Sequence, residues 1–158
     1  MSIRVGPTTI LTADEAVANQ THITSNGRDH GLVDANVLIG VATGLDLKNA
    51  LDEIVVTLAG DPAKLYKPTR AIVRCTARTG AANGDAQVQI GSTSTGTQLV
   101  GATAVTGLDE VGLCFIINLT GLMPEVAGDG NLYVQCIAAD GGVGTDLLAD
   151  VEIEGSQA

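Results

Sequence analysis

Short segments in which apolar and polar residues alternate fill the second half of the chain. Side chains on a β-strand point alternately to its two faces, so each such segment predicts a strand with one buried face. In one of them Ala86, Val88 and Ile90 alternate with two glutamines. Strands are predicted in this way at residues 70–78, 86–91, 97–101, 111–119, 131–138 and 147–154.

Turn signals separate these segments at regular intervals. Asn83-Gly84 and Asp129-Gly130 are pairs typical of tight turns, and Gly107 marks a further break. Several short strands separated by turns favour an antiparallel sandwich or barrel. No helical pattern lies between them, which argues against a parallel sheet with crossover helices.

The start of the chain is polar and weakly periodic. Thr12 and Glu15 have the spacing of a capping box, which predicts the beginning of a short helix, and a Gly- and Asn-containing loop follows from residue 19 to residue 31. We expect residues 1–31 to form an N-terminal arm that is ordered mainly by its neighbours.

Residues 46–59 carry the one good helical pattern. Asp46 is a suitable N-cap, and Gly60 followed by Pro62 is a suitable stop. The β-branched run from Ile54 to Thr57 also favours a strand. The apolar residues that recur at helical spacing are Leu47, Ala50, Leu51, Ile54, Val55 and Leu58.

These patterns predict a mainly β protein in which an antiparallel β-sandwich is preceded by an N-terminal arm and one helix. The arm spans residues 1–31, a strand-helix connecting segment spans 32–64 with its strand at 35–41, and the sandwich spans 65–158. The chain has one Phe, two Tyr and no Trp, so we expect an aliphatic core.

The chain is strongly acidic, with a formal net charge of −10 and only eight Lys and Arg residues. Phosphate backbones and anionic membranes are bound through Lys and Arg, so the composition argues against both as partners. The acidity serves either solubility or a surface that packs on another protein. Met1–Ile10 contains no apolar stretch of signal-peptide length, and we expect the protein to stay in a cytoplasm or assemble there.

Residues that could support catalysis or metal binding are few. His22, Asp29, His30 and Asp34 form the one candidate cluster, and they are interpreted as solvated loop residues because no ligand motif accompanies them. Carboxylate pairs such as Glu152 and Glu154 fit the solvated side of a strand. We therefore expect no catalytic residue, no metal and no cofactor.

Three cysteines, Cys75, Cys114 and Cys136, lie in the alternating segments. An odd number cannot pair completely within one chain, and Cys-x-x-Cys does not occur. We interpret all three as small buried apolar residues of a reducing compartment.

Two features predict an interaction surface. Arg70, Arg74 and Arg78 share one face of one predicted strand, so they either pair with carboxylates of an adjacent strand or contact an acidic patch on a partner subunit. The second face of the segment 111–119, which includes Ile116, is also largely apolar. A strand that is apolar on both faces is normally covered on both, either by an N-terminal helix or by another subunit.

The strand series resembles that of small jelly-roll proteins of tailed-bacteriophage virions, such as capsid decoration (cement) proteins. The resemblance covers residues 66–155. It rests on the opening strand Thr69–Ala77, the strand end Ile90-Gly91, the turn 119–121 and Asp129–Val134 before a strand.

The resemblance implies a jelly-roll sandwich without enzymatic activity. A decoration protein binds the outer surface of the expanded shell, where it ties major capsid protein subunits together, often as a homotrimer. The expected location is the capsid surface of a virion assembled in the host cytoplasm. Two alternatives are a tail, neck or fibre component with the same module, and a non-enzymatic glycan-binding sandwich. The scarcity of aromatic residues argues against the second.

Overall fold

The computed structural model describes residues 37–119 and 125–158. Before them it describes only the backbone of two short paired strands, β1 (Arg4–Val5) and β2 (Thr8–Thr9). The chain divides into two compact units, Met1–Ala35 and Asn36–Ala158. The helix predicted to begin at Thr12, and the cluster around His22 and His30, lie outside the described residues.

The second unit consists of strands that form two antiparallel sheets. Sheet 1 has the order β3-β11-β5-β8, with β9 paired to the beginning of β5, and sheet 2 has the order β4-β10-β6-β7. This confirms a mainly β protein with two antiparallel sheets. The strands are β3 (Val37–Asp46), β4 (Glu53–Thr57), β5 (Leu65–Arg78), β6 (Gln87–Gly91), β7 (Val100–Ala104), β8 (Cys114–Asn118), β9 (Val126–Ala127), β10 (Asn131–Ala138) and β11 (Leu147–Gln157).

The core lies between the sheets and is built from alternate residues of the strands, as the sequence pattern predicts. It is aliphatic, and the one Phe of the chain, Phe115, is only half-buried. In β8 the predicted inner face is shorter than expected, because the strand begins at Cys114 and leaves Val111 and Leu113 exposed. The central inner residues are Ala71, Val73, Cys75, Val88, Ile90, Leu132, Val134, Cys136, Ala149, Val151 and Ile153.

The helix predicted over residues 46–59 is wrong. The segment contains the end of β3, a turn and β4, whose residues Val55 and Val56 pair with Tyr133 and Leu132 of β10. Val56 is buried and Val55 is exposed, so burial alternates as in a strand. The β-branched residues of this segment favour a strand, and pairing with β10 satisfies its backbone groups.

The predicted boundary of the sandwich at residue 65 also needs correction. Strands β3 and β4 are integral parts of the two sheets, so the sandwich begins at Val37. A bridge between Gly40 and Leu58 joins one sheet to the other. A Cβ atom on Gly40 would lie 2.8 Å from Cγ1 of Val56, so glycine permits the two strands to approach at this corner.

A buried carboxylate ties three loops together at one end of the sandwich. The Asp140 side chain, in the β10–β11 loop, is 0% exposed. Its oxygens accept hydrogen bonds from the backbone amides of Asn83 (2.9 Å), Gly84 (3.0 Å) and Gly142 (2.8 Å), and from Nζ of Lys48 (3.1 Å). These donors come from the β3–β4, β5–β6 and β10–β11 loops, so one side chain fixes the positions of all three.

This network predicts a pH-dependent contribution to stability. Burial favours the neutral form of Asp140, but the hydrogen bonds from Gly142, Lys48, Gly84 and Asn83 outweigh it, so the pKa of Asp140 lies below its ordinary value. A lowered pKa in the folded state stabilises the fold above the unfolded value of about 3.9, and the contribution is lost as the pH falls through the folded pKa.

We therefore expect the difference in unfolding free energy between the wild type and Asp140→Asn to be constant above about pH 5 and to shrink below about pH 4. Urea unfolding followed by far-UV circular dichroism at a series of pH values measures this difference. Asp129→Asn makes the same change at an exposed turn position outside the network and is the matched control. A wild-type advantage over Asp140→Asn that persists undiminished to pH 3 would contradict the role of the charge.

Candidate interaction surface

The side chains of sheet 1 that point away from the core form a continuous surface, which we call the outer face. Four strands position it, because alternate residues of β11, β5 and β8 point outward, as do Leu38 and Val41 on either side of the buried Ile39 and Gly40 in β3. Its members are Leu38, Val41, Arg70, Ile72, Arg74, Cys114, Ile116, Asn118, Asp150, Glu152 and Glu154.

The register of the strands arranges these residues in columns. Strand β11 contributes acidic residues, and its neighbour β5 contributes arginines on either side of Ile72. The two outer strands, β3 and β8, contribute mainly apolar residues. Across the sheet the registered rows are Leu38–Glu154–Arg70–Asn118, Val41–Glu152–Ile72–Ile116 and Asp150–Arg74–Cys114.

The central columns are joined by ion pairs between neighbouring strands. Nε of Arg70 donates to Glu154, and Nε and Nη2 of Arg74 donate to the two carboxylate oxygens of Glu152 at 3.1 and 3.2 Å. The hydrogen bond and charge of Glu152 raise the pKa of Arg74, which keeps this guanidinium cationic. Because these side chains are partly exposed to water, the pairs contribute little to stability. Their main effect is to cancel charge on the face.

Large aliphatic side chains lie exposed at both edges of the outer face. Leu38 and Val41 of β3 are 57% and 47% exposed, and Ile116 of β8 is 51% exposed. Single exposed aliphatic residues are ordinary, but here they flank charges that are already paired. A largely apolar partner surface can bind here while each arginine keeps its carboxylate partner.

Three of the four residues predicted for an interface lie on this surface. Arg70, Arg74 and Ile116 occupy adjacent rows of β5 and β8. Arg78 lies at the end of β5, where Nη2 donates to the carbonyl of Gly80 in the following loop. The carboxylate pairing that the sequence allowed is present for Arg70 and Arg74, and contact with a partner stays a prediction.

The sequence pattern did not place β3 correctly on this face. Alternation over 35–41 assigns Ile39 and Val41 to the same side, yet Ile39 is buried and Val41 is exposed. The register with β11 shifts between Leu38 and Gly40, and such a bulge reverses the alternation. An alternating pattern interrupted by Gly40 is the only sequence signal for it.

The cysteines differ from one another. Cys75 and Cys136 are buried, as predicted, whereas Cys114 is exposed on the outer face. Burial raises the pKa of Cys136 to about 11, so this thiol stays protonated and unreactive at neutral pH. Within the described parts of the chain, no group of three or more His, Cys, Asp and Glu residues could hold a metal ion.

The Gly-flanked tract from Gly91 to Gly96 begins at the end of β6 and continues into the loop before β7. Glu53 of β4 holds this loop, because its carboxylate accepts from Oγ of Ser94 and the amide of Thr95, both at 2.8 Å. The amide of Ser92 donates to Oε1 of Gln98 and that of Gly96 to the carbonyl of Thr93, so these contacts hold the loop within the chain.

Among the described residues, none belongs to a helix long and apolar enough to cross a membrane. Comparisons with protein-family models, with curated proteins and with solved structures find no match to this chain.

Proposed function

We propose that the sandwich is a jelly roll and that the chain is a structural protein of a tailed-bacteriophage virion. The strand order carries this proposal. Leaving aside the short β9, the first strand of the sandwich pairs with the last, the second with the seventh, the third with the sixth and the fourth with the fifth. One long hairpin with its tip between β6 and β7, rolled so that β11 meets β5 and β10 meets β6, produces this order. It is the order of a jelly roll, a fold that many viral capsid domains use.

Within the virion, the proposed role is that of a decoration protein on the outer surface of the major capsid shell. Such a protein acts through shape and surface contact, without catalysis and without a cofactor. The net charge of −10 supports a position outside the shell, since it disfavours contact with packaged DNA. The outer face supplies a surface for contact between subunits, and the family resemblance implies a homotrimer.

Binding to capsids tests this role directly. Purified protein is mixed with expanded capsids from phage that lack it, and bound protein is measured by co-sedimentation and located by cryo-electron microscopy. We expect saturable density on the outer surface and retention of DNA at higher temperature. Unexpanded capsids serve as the control, because a decoration protein recognises the expanded shell. Absence of binding, together with equal stability of capsids with and without the protein, would refute the role.

The same strand order fits a jelly-roll component of a tail, neck or fibre. Antibody labelling of intact virions separates the two positions. Label over the head supports decoration, and label confined to the tail moves the protein to that structure.

A further inference from the structure

The outer face has the same kind of surface on both sides of a central line. That line runs between β11 and β5, with the acidic column on one side and the arginine column on the other. The next strand on each side, β3 or β8, carries exposed aliphatic residues. Opposite charges at equal distances from the line, flanked by apolar edges, make the face complementary to itself.

A half-turn about this line shows the match. A second copy placed face to face brings its β5 over β11 of the first and its β8 over β3. In the first row Glu154 then faces Arg70 of the second copy and Leu38 faces Asn118. In the second row Val41 faces Ile116, and Glu152, which stays bonded to Arg74 of its own chain, faces Ile72. In the third row Asp150 faces Arg74. A two-fold contact repeats each of these pairs, because the same patch is used on both subunits.

We propose that the outer face of sheet 1 binds the outer face of a second copy of this chain through a two-fold axis parallel to β5 and β11. Packed sheets keep their strand directions within about 30° of each other, which this arrangement satisfies. The two Arg70–Glu154 pairs form a four-charge group, and each Arg74 lies between Glu152 of its own chain and Asp150 of the other copy, so every arginine keeps a carboxylate partner in the contact.

The size of the face sets the strength of the contact. β5 and β11 form eleven residue pairs, with two register shifts along their length. At about 3.3 Å per residue and about 4.8 Å between four strands, the face covers at most roughly 600 Å². A stable interface buries about 800 Å² per partner, so we expect pairing that depends on protein concentration.

This contact differs from the three-fold contact that the family resemblance implies. A three-fold ring joins two different patches of each subunit, whereas the outer face is matched to itself. The inference rests on the surface alone and does not depend on the virion role. It is tested on purified protein without capsids, so failure of either proposal leaves the other standing.

Cross-linking provides the test. In a Cys114→Ser background, Val41→Cys and Ile116→Cys are combined and treated with a bis-maleimide of short span. Within one chain these positions lie three strand spacings apart, about 14 Å, so a reagent shorter than this cannot join them. The native Cys75 and Cys136 are buried and are not expected to react. A two-fold contact places both cross-links between the same two chains, so we expect products that stop at twice the 16.0 kDa of one chain.

The matched control replaces Val41→Cys with Val55→Cys, which is 43% exposed on the other sheet. We expect no cross-linked dimer from it.

Sedimentation equilibrium of the uncross-linked protein is a second measurement. Ile116→Lys is expected to weaken pairing by about tenfold or more, because it buries a charge opposite Val41. Val143→Lys, at an exposed loop position, is expected to pair like the wild type. Any of three results would overturn the proposal: products that remain monomeric, products that extend beyond two chains, or equal cross-linking of the control.

Discussion

Asp140→Ala is expected to destabilise the protein by roughly 3 kcal/mol, although it removes only a small side chain from a loop. The carboxylate is the common acceptor for amides of two loops and for the Lys48 ammonium group of a third. Removing it leaves three backbone donors and one cation without this acceptor. Lys48 is 12% exposed and can turn partly toward water, which places the loss in the lower part of the range for broken buried ion pairs.

Urea unfolding followed by far-UV circular dichroism measures this loss. Asp129→Ala removes the same group from an exposed turn and is expected to change the unfolding free energy by less than about 0.5 kcal/mol. Asp140→Asn keeps one acceptor oxygen and should fall between the wild type and Asp140→Ala. If Asp140→Ala were as stable as Asp129→Ala, the network would not hold the loops together.

The strands of the sandwich were largely predictable because local pattern and burial agree. In β5 and β11 every second residue is apolar, the two strands lie in the middle of sheet 1, and pairing with neighbours on both sides enforces the alternation. At the edges of the sheet this agreement weakens. In β3 a register shift leaves the neighbours Ile39 and Gly40 both buried, which breaks the alternation, and β8 is shorter than its apolar run because the chain before Cys114 forms a turn.

The error over residues 46–59 has a physical cause. Leu47 is a buried turn residue, and Val56 and Leu58 are buried by the pairing of β4 and its continuation. Among the residues that recur at helical spacing, Leu47 and Leu58 are buried but Leu51 and Val55 are exposed. The helical spacing therefore arises by coincidence from a turn followed by a strand. The pairing with β10, about eighty residues away in sequence, decides between a helix and a strand here. A short stretch of sequence does not contain that partner.

The candidate surface was predictable only in part. The sequence places Arg70 and Arg74 on one face, but their partners Glu154 and Glu152 depend on the register between β5 and β11. The placement of Val41 and Ile116 in one row, at opposite edges of one face, depends on the order of all four strands. Strand order is a property of the whole fold, so the self-complementary pattern emerges only once the sheet is assembled.

The buried and the exposed face of sheet 1 predict very different losses of stability for the same substitution. Ile153→Ala is expected to cost roughly 3–5 kcal/mol, and Ile116→Ala less than about 1 kcal/mol. Ile153 is 0% exposed in the central strand β11, and its registered neighbours are Gly40 and Ala71. Side chains this small cannot fill the space left by the isoleucine, so the cavity persists and the loss lies in the upper part of the range.

Ile116 is the matched control, because the same atoms are removed from the same sheet on its outer face, where the side chain is 51% exposed. Both variants are unfolded in urea at a protein concentration low enough to keep the chain monomeric. If the proposed pairing occurs, raising the concentration stabilises the wild type more than Ile116→Ala, so the difference between these two grows, whereas the loss caused by Ile153→Ala stays constant, since mass action affects only the contact between copies. Equal losses at low concentration would mean that the inner and outer faces of sheet 1 are not as distinct as the burial pattern indicates.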